Sequence, residues 1–138
     1  MTHRTEKKNV VEAIFSESPF WNFMGFEIES FEEGAVCLKV EVREELKNVI
    51  GTLHGGVYAA MMDTAMGITA RSVENTPLAT INMNVNYLRP VSEGTIYAKG
   101  RVINRSRSLF TVQAEVMDDK DQLAAHAVGS FKRVRPRE

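Results

Sequence analysis

Asp63 stands in a nearly unbroken apolar stretch between Val57 and Ala70. An ionised carboxylate loses hydration there unless a partner or a reaction offsets the loss. In a helix, the positions three and four residues away hold Ala59, Ala60, Met66 and Gly67, none of which can form the usual intrahelical ion pair. Two readings stay open: an acid used in chemistry, or a structural aspartate satisfied by another element or subunit. Upstream, His54-Gly55-Gly56 marks a passage from loop to helix, where glycines admit close approach and the first N–H groups are unpaired donors at the positive dipole end. Such donors suit the oxyanion of a tetrahedral acyl-transfer intermediate. The plainer alternative is a glycine-rich helix start with no ligand, with His54 as a cap or packing residue.

Spacing links the two features. Gly55 and Asp63 are eight residues apart, which at helical rise separates them by ~12 Å, too far for both to touch one scissile carbonyl. If both act in one reaction, Asp63 of one subunit must meet His54 and Gly55 of another, and a homodimer with interfacial sites follows. Further along, Thr80, Asn82, Asn84 and Asn86 alternate with Ile81, Met83, Val85 and Tyr87, so one strand face is polar although strands normally avoid asparagine. A subunit junction, a substrate channel or a plain solvent-facing edge would each explain it. Lys99, Arg101, Arg105 and Arg107 form a basic stretch that is either a solvated face or a seat for a phosphorylated ligand.

Other chemistries find little support. The single cysteine, Cys37, lies in an alternating run and reads as a buried, inert thiol. His3 and His126 lack the companions of a metal site or a catalytic triad, and no serine-nucleophile motif, phosphate loop or zinc pattern occurs. With 17 basic and 18 acidic residues the formal charge is −1, which gives no reason to expect nucleic acid. The polar opening is not followed by a signal-type apolar core, and no apolar run approaches the ~20 residues of a membrane span. A soluble cytoplasmic protein is expected, with no metal, no cofactor and no membrane partner.

These residues need positioning elements. The 138 residues, 43% hydrophobic and 25% charged, suit one domain over 1–138. Helical periodicity over about 5–17 gives a short amphipathic helix, and the aromatic segment 20–26 reads as a hydrophobic plug or pocket wall. Strands follow at about 25–31 and 35–42, joined as a hairpin, then a loop to residue 53. A long helix over about 55–74 has almost no polar face, so it is expected to be buried. Period-two patterning then gives four strands at about 78–88, 95–104, 109–117 and 123–134, and residues 133–138 read as a solvated basic tail. The order implies an α+β fold in which one curved antiparallel sheet of about six strands wraps around one long helix.

The run Asn48-Val-Ile-Gly-Thr-Leu-His54-Gly55-Gly56-Val-Tyr-Ala-Ala-Met-Met-Asp63-Thr-Ala-Met-Gly67, followed by Asn84-Val-Asn-Tyr87-Leu-Arg89-Pro90, resembles the hotdog-fold acyl-CoA thioesterases of the phenylacetate-degradation (PaaI-like) type, in the 4-hydroxybenzoyl-CoA thioesterase superfamily. The order of elements carries the resemblance over nearly the whole chain. It implies hydrolysis of an acyl-CoA thioester to free acid and CoA, with Asp63 as general base or nucleophile and the Gly55 N–H of the opposing subunit polarising the carbonyl. By the same resemblance Asn48 and His54 help hold the carbonyl or the attacking water, and Thr80 orients water beside the aspartate. Gly56, Asn82 and Tyr87 become candidates for substrate contact, and Arg89, Arg105 and Arg107 for the CoA phosphates. The family further implies antiparallel homodimers, commonly paired into homotetramers, without metal or prosthetic group.

Two other functions stay in view. A non-catalytic acyl-CoA binding or sensing module would use the same fold, although the first helix is too short for an appended DNA-binding domain. A hotdog dehydratase or hydratase would want a catalytic histidine in an arrangement that His54 does not offer. The acyl group is left open: Phe20, Trp21, Phe23, Met24, Met61 and Met62 could line an aromatic or medium-chain pocket, and core packing predicts the same residues.

Overall fold

The computed structural model describes residues 3–134; of the expected basic tail at 133–138, Arg133 instead ends the last strand and pairs with Glu74, and residues 135–138, like residues 1–2 of the polar opening, lie outside the described residues. The first helix, α1 (His3–Phe15), is followed by a second, α2 (Pro19–Met24), where the sequence suggested a hydrophobic plug or pocket wall without a helix. The capping explains it. The Ser18 Oγ accepts from the Trp21 N–H at 3.3 Å, Pro19 supplies the fixed φ of a first helical residue, and Gly25 closes the helix at φ 75°. Because Gly25 is spent on this left-handed cap, the next strand starts later than expected.

That strand, β1 (Glu27–Glu32), pairs with β2 (Ala35–Glu41) as the expected hairpin. A single 3-10 turn at Glu44–Leu46 and a loop lead into α3 (Gly55–Arg71). Four strands complete the chain: β3 (Leu78–Tyr87), β4 (Thr95–Arg105), β5 (Leu109–Met117) and β6 (Leu123–Arg133). All pairings are antiparallel, in the order β1-β2-β4-β5-β6-β3. The curved sheet packs along α3, giving the α+β hotdog architecture expected from the sequence.

Strict alternation aims one face of the sheet at the helix. On β5, Phe110, Val112, Ala114 and Val116 are fully buried while their neighbours are not. They meet Met61, Met62, Met66 and Ile68 of α3, also fully buried; each of the side chains larger than alanine contributes about 1.5–3 kcal/mol through removal from water. Close approach of helix and sheet depends on a missing side chain. A Cβ on Gly100 of β4 would stand 2.3 Å from Thr69 Oγ1 and 2.9 Å from the Ala65 carbonyl oxygen, so only glycine fits. Cys37 is buried, and burial pushes its thiol pKa up, as an inert core thiol requires. No helix among the described residues is long and apolar enough to cross a membrane.

One strand departs from the sequence reading. In β3, Thr80 pairs with Phe131 and Asn82 with Ser130, so Ile81 is the extra residue of a bulge. The bulge reverses the alternation. Met83 and Val85 pack on the core, and Thr80 is turned to the same helix-facing side, where its hydroxyl reaches α3. Thr80 therefore does not share a face with Asn82, Asn84 and Asn86, as unbroken period two had implied.

Candidate active site

Asp63 lies halfway along α3, half-buried, on the flank of the helix that faces β3 rather than the sealed interior. The Thr80 hydroxyl donates to its Oδ1 at 2.7 Å. The carboxylate thus has a fixed orientation and one engaged oxygen, while Oδ2 has no protein partner among the described residues. No basic side chain forms an ion pair with it among the described residues. Beside this acid opens a cleft of ≈ 330 Å³, walled by Phe15, Phe20, Trp21, Leu78 and Phe131 and floored by Asp63, Thr64, Gly67 and Arg71 of α3.

Of the six residues suggested for an acyl pocket, Phe20 and Trp21 line this cleft. Met24, Met61 and Met62 are core residues, 3% exposed or less. Phe23 points outward at 60% exposure, beneath the Arg43 guanidinium at 5.4 Å. Thr64, Gly67 and Arg71 were missed as lining residues. For Gly67 and Arg71 the signal was the helical spacing from Asp63, since four and eight residues along an α-helix keep close to one face, whereas Thr64, the next residue round the helix, carried no such signal.

The other candidate constellation sits at the start of α3. His54 is its N-cap, accepting the Gly56 N–H on Nδ1 at 2.8 Å. A ring that accepts at Nδ1 leaves Nε2 as its N–H donor, and His54 is exposed. Gly56 is therefore occupied, and the free donor is Gly55: its N–H has no hydrogen-bond partner among the described residues. Tyr87 leans over it, with ring atoms 3.4–3.7 Å from where a Gly55 Cβ would stand, and packs edge-on against Tyr58 at 5.9 Å. Asn48 shapes the loop before the helix, its Oδ1 accepting from the Ile50 and Thr52 N–H groups and its amide donating to Thr52 Oγ1.

Within one chain these two groups do not converge, because Gly55 opens α3 and Asp63 lies eight residues on, ~12 Å by helical rise. The arginines are also spread out. Arg89 is exposed in the loop after β3, near the start of α3, where its carbonyl accepts from Tyr58 Oη at 3.0 Å. Arg105 and Arg107 lie at the β4–β5 turn, by the opposite end of α3. Arg105 is 4.0 Å from Glu74 and stacks over Phe110, and the Arg107 carbonyl accepts from Arg133. Asn82 faces outward on β3, away from α3. No group of three or more His, Cys, Asp or Glu side chains among the described residues could hold a metal ion.

Comparison with known proteins places this fold. Residues 50–125 match the family model described as "Thioesterase superfamily". The chain is 30% identical over 122 residues to "Putative esterase SSO1253" of Saccharolobus solfataricus, covering 88% of this chain and 81% of that one. Its fold superposes on the E. coli PaaI protein from the phenylacetic acid degradation operon with a TM-score of 0.89 at 18% identity, over 97% of each chain. It also superposes on the phenylacetic acid degradation protein PaaI of Thermus thermophilus, with a TM-score of 0.79 at 25% identity, over 85% of this chain and 100% of that one.

Proposed function

The chain belongs to the thioesterase superfamily, and from that premise we propose that it hydrolyses acyl-CoA thioesters at a site shared between two copies of itself. The observation that carries this reading is Asp63, held by Thr80 at 2.7 Å with one oxygen open to an apolar cleft. Water bound at Oδ2 is deprotonated by the carboxylate as its oxygen attacks the thioester carbonyl carbon. The carbonyl oxygen becomes an oxyanion and takes the Gly55 N–H of the second copy, at the positive end of that copy's α3. Collapse of the intermediate breaks the C–S bond, the CoA sulfur takes the proton from Asp63, and the free acid departs. The other route uses Asp63 as nucleophile through a mixed anhydride, which water then opens.

The edges of the sheet support the shared site. β3 is an edge strand with Ile81 and Tyr87 more than half exposed, and Leu88 just beyond it is likewise uncovered. It carries no charged residue, which is the profile of an edge meant to be covered. β1, at the other edge, carries Glu27, Glu29 and Glu32, paired with Lys39 or Arg4. Neither nucleic acid nor membrane has a place in this reading, and coenzyme A enters only as part of the substrate. The reading is tested by CoA release from aryl-, short- and medium-chain acyl-CoAs. Turnover that is abolished in Asp63→Asn is expected; flat activity across the panel would point instead to an acyl-CoA binding module. Single turnover in ¹⁸O-water separates the routes, since label enters the Asp63 carboxylate only through the anhydride.

A further inference from the structure

The cleft beside Asp63 ends in a cation that the reaction does not use. Asp63, Gly67 and Arg71 follow one another at four-residue steps along α3, and all three line the cleft. The cleft floor therefore runs ~12 Å along the helix from the carboxylate to the guanidinium. Its lining is mostly apolar, with Phe15 and Phe20 from the N-terminal helices and Leu78 and Phe131 from the sheet, besides the hydroxyls of Ser18, Thr64 and Thr80.

Gly67 leaves the way between them open. Glycine is a poor residue for a helix interior, and packing does not demand it here. A Cβ at Gly67 would meet only ring carbons of Phe15 and Phe131, each at 3.9 Å, an ordinary contact. A longer side chain would fill the space between the rings and close the passage from Asp63 to Arg71.

Arg71 is itself uncommitted. One guanidinium nitrogen donates to the Glu74 carbonyl oxygen at 2.8 Å, which ties it to the helix end. It forms no ion pair with a carboxylate among the described residues. The nearest acid in sequence, Glu74, is taken by Arg133 at 2.5 Å and Arg105 at 4.0 Å. A half-buried guanidinium with donors to spare, at the end of an apolar cleft, suits a planar anion.

We infer that Arg71 is a specificity residue and that the acyl group carries a carboxylate at its distal end, lying over Gly67 with that carboxylate on Arg71. This rests on the proposed hydrolysis, because it assumes that the thioester carbonyl sits at Asp63. The probes are adipoyl-CoA and its ω-methyl ester, together with their non-hydrolysable ketone analogues, in which a methylene separates sulfur from carbonyl. Wild-type protein should favour the acid over the ester by tenfold or more, both in kcat/KM and in Kd for the analogues. Arg71→Met should bring the pair within about twofold, and Arg71→Lys should keep part of the preference. Gly67→Leu should lower adipoyl-CoA turnover relative to acetyl-CoA by tenfold or more. Each readout is a ratio within one protein sample, so partial misfolding of a variant does not imitate it.

Equal handling of acid and ester by the wild type would overturn the inference while thioester hydrolysis stands. Absence of hydrolysis with an Arg71-dependent preference for the acid analogue would overturn the hydrolase reading and keep the anion site. Loss of both would overturn both.

Discussion

The two candidate regions of α3 differ in what each offers and in what each lacks for the proposed reaction. At its first residue, Gly55 offers an unpaired N–H with no acid beside it, only the Tyr87 ring and the capping His54. Two turns further on, Asp63 offers an oriented carboxylate with no oxyanion donor beside it, only the Thr80 hydroxyl and apolar walls. A rigid helix holds them ~12 Å apart, so no side-chain motion within one chain brings them to one carbonyl. On the proposed function, the helix carries two half-sites, each of which takes the opposite half from a second copy.

The contrast can be broken at either half. The largest effect is expected at the acid: Asp63→Asn should lower kcat by about 10³-fold or more, read as CoA release under saturating substrate. At the donor, Gly55→Pro should cost about 10²–10³-fold in kcat/KM. That substitution removes the N–H with little harm to the helix, because proline suits the first helical position and His54, at φ −63° and ψ 138°, already has the extended backbone a following proline requires. Circular dichroism should show the helix content unchanged.

Smaller effects sharpen the division. Thr80→Val keeps the shape of the side chain and removes the hydrogen bond to Asp63; the loss of about 1.4 kcal/mol of orientation corresponds to roughly tenfold in kcat. Glu74 belongs to neither half. Burial alone would raise its carboxyl pKa, but hydrogen bonds from Arg133 and the Asn75 and Thr76 N–H groups outweigh it and hold the pKa below the ordinary 4.5. A depressed carboxyl contributes stability that is fully present above its unfolded value and lost as pH falls through the folded value. Glu74→Gln should therefore lower the urea midpoint at neutral pH, by about 1–2 kcal/mol of stability, with the gap to wild type narrowing below pH 4.5. Turnover should stay near wild type.

Much of this was legible before any coordinates. The near absence of polar positions in α3 announced a buried helix, and the hairpin at the first two strands and period two in the last four placed all six within a few residues of their observed bounds. The distance between His54-Gly55-Gly56 and Asp63 followed from helical rise alone. Three things did not come through. The helix α2 was hidden by its aromatic residues, although Ser18, Pro19 and Gly25 spelled its start and stop. The bulge at Ile81 is set by pairing with β6, a long-range contact that local alternation cannot register, so Thr80 was grouped with the wrong face. The cleft was half seen: Phe20 and Trp21 were among its expected walls, but Gly67 and Arg71 were not assigned to it. A glycine and a terminal arginine are ordinary in a helix until the elements packed over them leave a space.

The central claim, that one reaction uses Asp63 of one copy and Gly55 of another, is tested most directly by mixing two inactive variants. Asp63→Asn and Gly55→Pro protein, unfolded together and refolded at equal concentration, should form mixed dimers in which one of the two sites has both groups intact. With random pairing the mixture should recover about one quarter of wild-type activity per subunit, while each variant refolded alone stays inactive. A mixture as inactive as its components, with mixed dimers verified by mass, would contradict the shared site.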